Sequence, residues 1–187
     1  MNSYATNSIT TAGLALALGI LGADLWRWYK GGAKGKDGDK DSGGSAARDP
    51  KALIPLAFGI VCGILMVGCP AGLLGKLGGI LRWGGNGLGG TIMQTLTGKG
   101  GTNLATAAAP TVDEYGAPVV AALFIGLWLV RKQIAKLAKG KWKKGVFIGV
   151  MLCISTGTAA IVAQTVVGGA NNLGHQVFST ITTGTLT

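Results

Sequence analysis

Apolar positions in this chain form long blocks that alternate with short basic or glycine-rich segments. The first block, residues 9–25, is closed by Trp26, Trp28 and Tyr29, whose amphipathic rings suit a headgroup region. Residues 1–29 therefore read as a spanning helix with an aromatic anchor. Asp24 is the one acid in any apolar block and reads as an interfacial residue beside Arg27, with an ion or proton site as the alternative. The second block, residues 52–74, carries no charge over 23 positions, and at about 1.5 Å per residue it can cross a hydrocarbon core of about 30 Å. Pro55 fits its first turn, whereas Pro70 should kink or end it. Residues 30–51, between the two blocks, mix charges with glycine and read as a solvated linker.

Residues 75–111 are glycine-rich and only patchily apolar, which predicts broken or interfacial helical pieces, partly re-entrant and packed against protein. Thr111 and Glu114 then have capping-box spacing, with Asp113 also favourable at a helix start. A third span is expected over residues 112–130, with Pro118 either kinking it or marking its first turn. A basic segment, residues 131–144, places Lys132, Lys136 and Lys139 on one helical face. The fourth span covers residues 145–167, and residues 170–187 form an uncharged polar tail. The predicted fold class is an all-α polytopic membrane protein with about four transmembrane helices, arranged as two helical hairpins (the second over residues 112–169) around a glycine-rich middle.

Composition supports this pattern. Only 13% of the 187 residues are charged where roughly 25% is typical, mean hydropathy is +0.45, and glycine occupies 34 positions. Collagen is excluded because the glycines lack a three-residue period, and a disordered chain by the apolar blocks. The formal charge of +10 changes meaning once its location is read: seven basic residues lie between positions 27 and 51 and seven between 131 and 144, each group flanked by apolar blocks. By the positive-inside rule both groups are cytoplasmic and both termini lie outside a bacterial cytoplasmic membrane. The alternative of a cleaved signal peptide at Ala15 and Ala17 lacks a basic leading region.

Small residues recur every fourth position in the spans. Gly59 and Gly63, Gly68 and Gly72, and the series Gly145, Gly149, Cys153 and Gly157 form such faces, as do Ala15, Gly19 and Ala23. They let backbones approach closely in lipid and predict a homo-oligomer. The chemistry is otherwise sparse. His175 is the single histidine, so neither a zinc cluster nor a nucleophilic triad is supported. Gly75-Lys76 and Gly98-Lys99 lack the flanking residues of a phosphate loop. Asp37, Asp39 and Asp41 lack the glycine and glutamate of a calcium loop. Cys62, Cys69 and Cys153 fall in apolar spans, where thiols act as small apolar groups. The expectation is no enzymatic activity, no cofactor, no metal and no small-molecule substrate. The basic residues Arg131, Lys132, Lys136, Lys139, Lys141, Lys143 and Lys144 suit anionic lipid headgroups or a lumen, with nucleic acid entering only as cargo.

Residues 112–169, two apolar helices joined by the short basic RKQIAKLAKGKWKK, resemble the helical-hairpin pilins of conjugative type IV secretion systems. That resemblance implies subunits packed in large numbers with lipid, their basic loops facing a lumen. The first hairpin and the glycine-rich middle depart from that family. The functional expectation is a self-assembling membrane protein of bacterial or phage type. It would line an oligomeric conduit for transfer, ejection or lysis; the alternative is a pilin-like or virion-shell subunit of a lipid-associated filament or particle.

Overall fold

A computed structural model of the chain describes residues 8–30, 53–69, 72–106, 110–129, 141–153 and 157–183. Among these the fold is all-α, with six helices: α1 Thr11–Tyr29, α2 Ile54–Gly68, α3 Gly72–Thr97, α4 Gly116–Leu129, α5 Lys141–Leu152 and α6 Gly157–Thr183. A short antiparallel ribbon, β1 Ser8–Thr10 with β2 Asn103–Thr106, ties the start of α1 to the chain beyond α3. Thr10 turns this ribbon into the helix: its backbone is extended, and its hydroxyl accepts the Gly13 N–H at 3.1 Å.

The predicted second span is not one straight helix. Pro55 sits in the first turn of α2, and the helix ends at Gly68, with Cys69 extended, in agreement with the stop expected from Pro70. Gly72, at φ +87°, opens α3 in a direction bent by 109° from α2, a backbone value that favours glycine. The glycine-rich stretch expected to break into pieces is instead one 26-residue helix. Its low propensity is offset by packing, since Gly78, Gly85 and Gly89 are all buried against other parts of the chain. Gly98, at φ +71°, ends this helix, and its N–H bonds the Gln94 carbonyl at 2.8 Å.

The third helix of the expected plan starts later than residue 112. Asp113, rather than a Thr111–Glu114 box, supplies the cap: its Oδ1 accepts from the N–H groups of Tyr115 at 3.1 Å and Gly116 at 2.6 Å. Pro118 then falls in the first turn of α4. The fourth expected span is interrupted, with α5 ending at Leu152 and α6 starting at Gly157. The polar tail from residue 170 is helical to Thr183. Ser179, Thr180, Thr182 and Thr183 turn their hydroxyls back onto carbonyls three or four residues earlier at 2.7–3.1 Å, so the helix absorbs them.

The helices interleave. Parallel to α2 runs α5, with Gly59 against Gly145 and Gly63 against Gly149. On the other side of α5 lies α1, antiparallel to it: Leu14 and Ala17 pack in one cluster with Met151 and Phe147, while Asp24 reaches Lys144. The predicted hairpins are therefore threaded through each other, with α2 packing most extensively on a helix from the other half. The larger core gathers Ile64 and Leu65 of α2, Val112, Val120 of α4, Cys153, and Ala163, Val167 and Ala170 of α6. No single described helix is long and apolar enough to cross a membrane; the bent α2–α3 pair meets that test jointly, and α4 is a shorter apolar helix.

Candidate functional site

The most closely built region is the α2–α5 contact. A Cβ placed on Gly59 would lie 2.9 Å from the Gly145 Cα, and one on Gly63 would lie 3.0 Å from the Gly149 Cα. Backbone therefore rests directly on backbone along two turns, an approach that only glycine permits. Four of the predicted packing residues meet here. Gly68 serves a different contact, against Val112 and Val167, with its carbonyl accepting the Val112 N–H at 2.8 Å. Gly72 is exposed and opens α3, Cys153 is fully buried with its thiol 3.9 Å from the Ile64 carbonyl, and Gly157 starts α6.

At the end of α5 stands a residue whose role the sequence reading missed. Arg82 of α3 is 1% exposed. Its Nε donates to the Val150 carbonyl at 3.2 Å and its guanidinium also donates to the Cys153 carbonyl. A helix terminus leaves carbonyls without intrahelical partners, and a cation placed there is favoured by the helix dipole. Arg82 thus caps the C-terminal end of α5 and fastens α3 to it. The signal was present in the spacing: Gly78, Arg82, Gly85 and Gly89 fall on one helical face, so the arginine lies among small residues that must face inward.

Two polar clusters mark opposite ends of the packed unit. At one end the Asp24 carboxylate, 12% exposed, accepts from Lys144 Nζ at 3.2 Å and lies 3.9 Å from the Arg27 guanidinium. The C-terminus of α1, the first turn of α2 and the first turn of α5 share this end, because Asp24 meets Lys144 and Gly145 meets Leu56. Lys143 and Lys144 are exposed here and Lys141 half-buried, while Arg131, Lys132, Lys136 and Lys139 lie outside the described residues, as do Asp37, Asp39 and Asp41. At the other end Asn171 of α6 accepts the Asp113 N–H at 3.1 Å, and His175 Nε2 approaches Asp113 Oδ2 to 3.3 Å. The His175 and Tyr115 rings stack with centroids 4.2 Å apart. Gly116 and Gly174 bring the start of α4 against α6. No three metal-binding side chains converge among the described residues.

The outer faces of α3 and α6 are apolar, in contrast to the inward faces of the same two helices. Leu73, Leu77, Leu88 and Leu96 on α3, and Ile161, Leu173, Val177 and Ile181 on α6, are exposed, whereas the faces turned inward are largely glycine and alanine. Comparison of the chain with protein-family models, with curated proteins and with solved structures finds no match.

Proposed function

We propose that this chain is a non-enzymatic, membrane-embedded helical subunit that associates with further copies of itself. The observation that carries the reading is the outward display of large apolar side chains on α3 and α6, two helices whose inward faces are mostly glycine and alanine. A soluble monomer seldom exposes apolar patches beyond a few hundred Å². In lipid the same distribution is stable, because tails solvate the leucines and isoleucines while glycine faces supply close van der Waals contact. The gathering of Arg27, Lys143 and Lys144 at one end supports placing that end at the cytoplasmic headgroups. The chain then crosses about four times, through α1, α2, α4 and the broken α5–α6 pair. Arg82 satisfies carbonyls at the end of α5, as backbone leaving a helix at membrane depth requires.

The finer reading is a subunit lining an oligomeric conduit of the type that phages and mobile elements use for transfer, ejection or lysis. The described uncharged surfaces favour a wide, weakly selective passage over a tuned filter. A lipid-associated filament or shell is the second reading, favoured by the likeness of residues 112–169 to helical-hairpin pilins. Because the α2–α5 glycine face is filled within one chain, copies must meet through other surfaces, and the α3 and α6 outer faces are the extensive ones.

Reconstitution tests this. Purified chain should partition into liposomes and resist carbonate extraction, elute from mild detergent as closed rings of fixed copy number, and release small dyes without ion preference. Indefinite filaments would move the assignment to the structural subunit. A chain that remains in the aqueous fraction would overturn the membrane reading itself.

A further inference from the structure

Beyond the point where α1 and α3 touch, at Gly13 with Asn86 and Ala12 with Gly89, an apolar groove of about 440 Å³ lies between them. Ala15, Gly19 and Ala23 form its wall on α1, and Gly89, Ile92 and Leu96 its wall on α3. Leu16 and Ile20 flank this wall, and it stays open along the small-residue stripe between them: among the described residues, a Cβ on Gly19 would meet no atom within 4 Å. The α2–α5 face, by contrast, has the same spacing but is filled by its partner backbone.

The groove has an apolar length and a charged mouth. From Ala12 to Ala23 the α1 wall runs about 17 Å at about 1.5 Å per residue, close to the roughly 15 Å of one leaflet's hydrocarbon. Helical spacing carries the same stripe from Ala23 onward to Trp26, Arg27 and Lys30. Lys30 Nζ sits 4.6 Å from the Trp26 ring centre, and the Arg27 side chain is 70% exposed. Among the described residues the carboxylate nearby, Asp24, is already held by Lys144 at 3.2 Å, closer than its 3.9 Å approach to Arg27. Among the described residues, cations therefore outnumber the anion at the mouth, where the Trp26 ring also stands.

We infer that this groove binds an anionic phospholipid, one acyl chain lying against Ala15, Gly19 and Ala23 and the phosphate held by Arg27 and Lys30. The inference rests on the membrane-embedded reading above and deepens it, from bulk lipid contact to one defined lipid site.

The test is native mass spectrometry of the full chain, released from bilayers containing equimolar phosphatidylglycerol and phosphatidylcholine of identical acyl chains. Wild type should carry a bound phosphatidylglycerol. Gly19→Leu, whose side chain enters open space and leaves the fold intact by circular dichroism, should reduce bound phospholipid about tenfold by displacing about two buried methylenes. The double substitution Arg27→Gln with Lys30→Gln should keep a lipid while losing the preference for the anionic headgroup. Retention of the lipid by Gly19→Leu overturns the groove assignment, and an unchanged preference in the double variant overturns the headgroup assignment. A wild type without lipid whose assembly size changes on Gly19→Leu would give the groove to a second copy. Failure of the membrane reading itself is distinguishable, because all three proteins would then stay out of liposomes.

Discussion

Arg82 shows what one side chain contributes when a helix stops inside a packed unit. Removing its guanidinium leaves the Val150 and Cys153 carbonyls buried without that donor, so Arg82→Met should destabilise the chain by about 2–3 kcal/mol, read as a lowered thermal midpoint in detergent. Arg82→Lys should recover only part of this loss, since an ammonium is a point charge and cannot present a planar fork to two carbonyls. The opposite expectation holds at His175. Its contact with Asp113 is solvent-exposed, so His175→Ala should change stability by well under about 1 kcal/mol. Asp113→Ala removes the cap of α4 and should cost about 1–2 kcal/mol in the same assay. Equal losses at the two positions would mean that the ion pair, and not the cap, holds α4 to α6.

Between elements, the decisive contact is glycine on glycine. Gly149→Leu drives a side chain into the Ile60 backbone, and Gly63→Leu does the same against Val146 and Val150. Each should cost about 3 kcal/mol or more and lower helicity at every protein concentration. An oligomer that merely dissociates, with helicity unchanged, would place these glycines between copies instead. Helices α1, α2, α4 and α5 and the small-residue faces were legible in the sequence because each depends on local spacing. Partners were not: Gly59, Gly63, Gly145 and Gly149 announce close approach, but nothing in a four-residue period says whether the second backbone belongs to the same chain. The end of α2 at Gly68 was announced by Pro70, whereas the end of α5 at Leu152 was hidden, since hydropathy runs on past it and the Arg82 side chain that satisfies its carbonyls comes from a distant helix. The helical tail was concealed by its threonines, whose back-bonding to carbonyls is a property of the folded helix.

For the whole molecule, the shared end of α1, α2 and α5 makes topology a single measurable statement. A cysteine at Lys143 and one at Asn172, both exposed, should label from opposite sides of intact cells, with Asn172 reached from outside. Labelling of both from one side would overturn the crossing of α6. The parallel α2–α5 pairing also has a consequence in time. Parallel helices cannot be neighbours through a tight turn, so Gly63 waits for Gly149, and β1 waits for β2, while most of the intervening chain is made. At about 5–20 residues per second, that delay is roughly 5–20 s for either pair. On the membrane-embedded reading proposed above, α2 stands throughout it in the bilayer, or beside the insertion machinery, with an open glycine face that any other small-residue helix can occupy. Ribosome-bound intermediates halted before α5 should therefore crosslink to foreign helices through the native Cys62, which is buried in the finished fold, and the crosslinks should vanish once residue 152 has cleared the exit tunnel.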